Sequence, residues 1–107
     1  MSSNQLPNEI VSELYAKAKQ LEELADSEKS NKQLRVAIDA YKEILEEHEA
    51  KINDKLFKKI AEQCIKRMRF IGAHLQAVDV HKMLINRFND EPHYRNQLAI
   101  SYLLINR

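Results

Sequence analysis

Apolar residues recur along this chain at three- and four-residue spacing in five stretches separated by short polar breaks, which is the period of amphipathic helices. In the first stretch Ile10, Leu14, Ala18, Leu21 and Ala25 share one side of a helix running from Pro7 to about Asp26. Pro7 suits a first helical position, where the missing N–H has no partner to lose. Ser27 to Lys32 is polar, and Ser30 with Gln33 three residues on has the form of a capping box ahead of Leu34, Ala37, Ile38, Tyr41, Ile44 and Leu45. That second helix is expected to end in the acidic run Glu46-Glu47-His48-Glu49. Asn53 or Asp54 can cap a third helix whose stripe is Phe57, Ile60, Ala61, Cys64, Ile65 and Met68, stopping near Gly72, the only glycine. A fourth follows from about Ala73 to Phe88 on Ala77, Val78, His81, Leu84, Ile85 and Phe88. Asn89-Asp90-Glu91-Pro92 makes a turn with a starter proline, and a fifth helix takes Tyr94, Leu98, Ala99, Tyr102 and Leu103 to the end. The spacing assigns Phe57, Met68, Phe70 and Met83 to the core.

Helices joined by short loops pack antiparallel, so hairpins are the natural unit. Sliding the third helix by 34 residues places Cys64 on Leu98, Ile65 on Ala99, Met68 on Tyr102 and Gly72 on Asn106. Thirty-four is the tetratricopeptide period. Leu98-Ala99-x-x-Tyr102 resembles that repeat's first-helix signature, while Ala37-x-x-x-Tyr41 and Ala77-x-x-x-His81 resemble its second, with His81 standing where an aromatic is usual. The expected fold is all-α: about five helices in one tetratricopeptide-like domain over residues 1–107. Its parts are a first hairpin over about 7–50, a second over 53–88, and over 92–107 the first helix of a truncated third repeat, which exposes apolar residues and offers a surface for self-association.

Composition agrees with this reading. One Gly, two Pro and 31% charged residues in 107 favour long helices over a turn-rich β fold, and 44% apolar content is enough for one core. The single Cys64 cannot form an intramolecular disulfide and falls in an apolar stripe, so a buried thiol is expected. Met1-Ser2-Ser3-Asn4-Gln5 has no basic segment followed by an apolar core, and no run is long enough to span a bilayer. The net charge of +1 is unevenly spread: residues 1–50 hold six Lys/Arg against eleven Asp/Glu, and residues 51–107 hold eleven against five. The basic half is not interleaved with exposed aromatics, so no nucleic-acid partner is expected.

Catalytic chemistry finds no foothold, and no cofactor is expected. A chain with one glycine cannot build a phosphate-cradling loop, and there is no nucleophile elbow or Cys-x-x-Cys pair. His74 and His81 share a helical face, but Asp79 points away from it, so no metal site is expected. The candidate for binding is a peptide groove. Lys59, Glu62, Lys66 and Arg69 fall at three- and four-residue spacing beside the apolar stripe of the third helix, and Asn96 and Gln97 would extend the groove from the fifth. An acidic peptide would dock there through charge-assisted hydrogen bonds. Alternatively, the side is merely solvated, with Glu62 and Lys66 as an i,i+4 pair.

Residues 30–41, Ser-Asn-Lys-Gln-Leu-Arg-Val-Ala-Ile-Asp-Ala-Tyr, with Arg69-Phe70-Ile71-Gly72, Leu84-Ile85-Asn86-Arg87-Phe88 and Asn96 to Ile105, resemble the helical repeat region of aspartyl/asparaginyl β-hydroxylases over roughly residues 12–107. In that family the repeats lie in the lumen of the endoplasmic reticulum, ahead of an iron- and 2-oxoglutarate-dependent oxygenase that hydroxylates Asp or Asn in EGF-like domains. None of the family's iron-binding, 2-oxoglutarate-binding or catalytic residues map onto this chain. The resemblance therefore implies a noncatalytic scaffolding or substrate-guiding segment, with EGF-like domains as partners. The alternative is an independent cytoplasmic adaptor that binds an acidic peptide or a partner helix.

Overall fold

The computed structural model describes residues 7–106; Met1–Leu6, with the leader reading made on them, and Arg107 lie outside the described residues. The fold is all-α. Five helices follow in order, α1 Pro7–Glu28, α2 Asn31–Glu47, α3 Asp54–Phe70, α4 His74–Arg87 and α5 His93–Ile105, with a 3-10 turn at Glu49–Lys51 and no strand among the described residues. No helix among those residues is long and apolar enough to cross a membrane.

The breaks between helices have local causes. α1 ends in a Schellman motif in which Ser30 N–H donates to Ala25 C=O at 2.9 Å and Lys29 N–H to Asp26 C=O at 3.2 Å. This requires a left-handed residue, and Lys29 takes it at φ 53°. The same motif ends α3: Ala73 N–H reaches Met68 C=O at 2.8 Å and Gly72 N–H reaches Arg69 C=O at 3.1 Å, with Gly72 at φ 78°. Ser30 Oγ caps α2 by accepting from Gln33 N–H at 3.1 Å, but the reciprocal half of the expected box is not made, because Ser30 N–H is given to the Ala25 carbonyl; the Gln33 amide nitrogen donates to Glu28 Oε1 at 2.6 Å. Asn53, rather than Asp54, caps α3, its Oδ1 accepting from Leu56 N–H at 2.8 Å.

The chain forms two compact units, Met1–Ile60 and Ala61–Arg107, and α3 supplies residues to both. In the first unit α1 packs closely on α2, with Ala18, Ala25 and Ala37 buried where small side chains let backbones approach. All six expected stripe positions of α2 are buried. The apolar side of α1 is Val11, Ala18 and Ala25, while Ile10 and Leu21 lie at its edge, each 37% exposed. Buried Glu22 accepts a short hydrogen bond from the Tyr41 phenol.

In the second unit α4 packs closely on α5. The expected α3 stripe is buried from Ala61 to Met68, and Val80 joins the expected α4 positions, whereas Ile85 is only half-buried. Phe70 is exposed, contrary to expectation, and lies under the Arg67 guanidinium at 5.0 Å. α5 departs furthest from the expected pattern. Its buried side is Tyr94 and Ser101, with Gln97, Leu98 and Leu104 half-buried, while Ala99, Tyr102 and Leu103 are exposed. Of the positions that repeat the buried stripe of α3 at the 34-residue offset, Tyr94 is buried and Leu98 half-buried, whereas Arg95, Ala99 and Tyr102 are left open.

Candidate peptide-binding recess

On the second unit, Glu62, Ile65, Lys66 and Arg69 of α3 and Gln97 of α5 line an open recess of about 500 Å3. The spacing of the α3 residues follows from the helix: Ile65 belongs to the buried stripe, and Glu62, Lys66 and Arg69 sit one position to its side. Two of the six groove candidates are not part of the lining. Asn96 is exposed on α5, and Lys59 belongs to the first unit, where its ammonium lies 6.0 Å from the centre of the Tyr15 ring.

Arg69 is held by one nitrogen. Nη2 donates to the Gln97 carbonyl at 3.0 Å and to Ser101 Oγ at 3.3 Å, and lies 3.3 Å from His81 Nε2. A guanidinium has no acceptor, so His81 Nε2 must carry the lone pair and the ring proton sits on Nδ1. His81 is fully buried. Burial, and then the neighbouring Arg69 charge, lower its pKa to about 4, so the imidazole is neutral at physiological pH. Arg69 Nε is buried without a hydrogen-bond partner. The two Nη2 protons are thus shared among three neutral acceptors, which fix the direction of the guanidinium.

On the same side of α3, Glu62 Oε2 accepts from the Tyr94 phenol at 3.2 Å. Tyr94 is buried between Phe88 and His93, their ring centres 6.1 and 4.0 Å from its own. Burial, and then the charge and hydrogen bond of Glu62, push the phenol up to about 12. Glu62 turns to Tyr94, and the Glu62–Lys66 pair of the alternative, solvated reading is not at ion-pair distance. Among the described residues neither Lys66 nor Arg69 has a carboxylate at ion-pair distance. The recess thus presents two cations without ion-pair partners, with the Glu62 carboxylate turned to Tyr94, an arrangement that suits an anion.

The sequence reading did not find the acceptors that aim Arg69. Two signals were present: His81 at an aromatic position, and Ser101 in line with Tyr94, Leu98 and Leu104 on the inner face of α5. No group of three or more His, Cys, Asp or Glu among the described residues is placed to hold a metal ion, and the guanidinium against His81 would repel one. In comparisons with known proteins, no family model, no curated protein and no solved structure matches the chain.

Proposed function

We propose that this chain is a noncatalytic protein-interaction module that docks an acidic segment of a partner protein in the α3–α5 recess. The observation that carries this reading is the pair Lys66 and Arg69, two cations lining one recess without carboxylate partners, one of them fixed by neutral acceptors. Leaving a half-buried guanidinium uncompensated has an electrostatic cost, which an incoming carboxylate offsets. Tetratricopeptide-like stacking of the hairpins is part of the proposal, supported by the 34-residue spacing and by the small residues of the α1–α2 pair.

The resemblance to the repeat region of aspartyl/asparaginyl β-hydroxylases suggests the first partner to try. In that setting the module works in the lumen of the endoplasmic reticulum, scaffolding or guiding EGF-like domains toward an oxygenase. The second reading is an independent adaptor, favoured by the same unpaired cations because they need only an acidic peptide. One titration separates these readings, using an EGF-like domain, an unrelated disulfide-rich domain, an acidic peptide and its Gln/Asn isostere as ligands. Selective capture of the EGF-like domain, weakened at least tenfold by Lys66→Glu, supports the scaffold. Selective binding of the acidic peptide with the same sensitivity supports the adaptor. Binding of neither, or binding indifferent to Lys66→Glu, overturns the recess as the working site.

A further inference from the structure

We infer that the chain self-associates head to tail, the open face of α5 in one copy docking in an acid-rimmed groove of the α1–α2 hairpin of the next. The groove belongs to the first unit, has a volume of about 260 Å3, and is floored by Leu14, Leu21, Ala40 and Ile44. Lys17 and His48 share its edge with Glu43 and Glu47, which stand one helical turn apart on α2; both carboxylates are exposed, neither has a cation at ion-pair distance among the described residues, and with His48 neutral the rim keeps a net negative charge. The groove therefore calls for an apolar ridge that carries positive charge.

α5 is such a ridge. Leu103 is 64% exposed, Ile100 46% and Tyr102 42%, and Ala99 between them lets a second helix come close. Arg95 lies one turn before Ala99 on the same side, exposed, with no side-chain partner among the described residues, and α5 has no acidic residue. The two surfaces thus match in polarity and in charge, and they are carried by one chain at equal concentration. The wider charge distribution acts in the same direction, since the acidic half contains the groove and the basic half contains the ridge. The two patches differ, so the contact is heterologous: each added copy leaves one groove and one ridge open.

Light scattering during size exclusion over a range of concentrations reads this directly. The expected mass exceeds the 12.6 kDa monomer, rises with concentration, and falls when salt screens the charge pairing. Leu21→Glu in the groove and Leu103→Glu on the ridge each give a monomer of unchanged helicity. Mixed in equal amounts they form a dimer that grows no further, because one retains the ridge and the other the groove. A second test is independent of those substitutions: Glu43→Arg weakens association at least tenfold, and adding Arg95→Glu recovers it. A wild-type chain that stays monomeric at every concentration overturns the inference and leaves the groove to a basic segment of another protein. Association that survives Leu21→Glu, or variants that fail to complement, overturns it in favour of a symmetric α5 contact.

Discussion

His81 and Arg69 share a buried corner, and the imidazole meets the guanidinium only by staying neutral. Its folded pKa, about 4, lies below the ordinary value of 6.5. Between those values the unfolded chain binds a proton that the folded chain does not, so stability declines as pH falls through this window and levels off below it. Going from pH 7.5 to pH 5 should cost on the order of 2 kcal/mol through this residue. Urea unfolding at the two pH values measures it. His81→Gln, which keeps an acceptor for Arg69 but does not titrate, should remove that part of the slope; an unchanged slope would place the acid sensitivity elsewhere. Tyr94 has the opposite sign. Its phenol is pushed up to about 12, so its contribution is complete below the ordinary value of 10.0 and is lost as pH rises through about 12. In an alkaline titration followed by tyrosinate absorbance, Glu62→Gln should bring Tyr94 down by only part of the shift, because burial, the larger cause, remains.

Among the helices, the ends of α1 and α3 make a natural experiment. Both close with the same Schellman bonds, yet one puts Lys29 and the other Gly72 in the left-handed position. A Cβ costs roughly 1 kcal/mol there, so Lys29→Gly should stabilise and Gly72→Ala should destabilise by about that amount. Nothing lies within 4 Å of a Cβ built at Gly72, which leaves backbone strain as the cause. Ser30→Ala should cost about 1 kcal/mol through the lost cap of α2; thermal melts of the three variants test the set. Such end signals, and the stripes of α2 and α3, were readable because each helix has one apolar side and polar residues elsewhere. α1 and α5 were read less well for the converse reason. Both carry apolar residues around more than a third of their circumference, and periodicity cannot say which of two apolar faces another helix covers. The site divides in the same way. Lys66 and Arg69 are visible as spacing on one helix, but Arg69 is aimed by the Gln97 carbonyl and by Ser101, 28 and 32 residues away. No local pattern encodes contacts at that separation.

At the scale of the whole molecule, the two compact units share α3, whose residues up to Ile60 belong to one and from Ala61 to the other. The helix runs from Asp54 to Phe70, 17 residues in all. An isolated helix shorter than about 12–15 residues is marginal in water. Cut at the boundary, neither half of α3 reaches that length, so each depends on the packing of its own unit and on its continuation in the other, and melting one unit weakens the half that remains. The units should therefore unfold as one. Cys64 reports on this: it is fully buried on the part of α3 that belongs to the second unit, and its thiol becomes accessible to a labelling reagent only on opening. Tyr41→Phe removes a donor from the buried Glu22 carboxylate in the first unit and should cost about 1–3 kcal/mol. If α3 couples the units, that substitution accelerates Cys64 labelling by the factor corresponding to the whole of its destabilisation, roughly tenfold for each 1.4 kcal/mol. If Cys64 labels at the wild-type rate while circular dichroism records a less stable first unit, the shared helix can fray at Ile60 and the two units are independent folding domains.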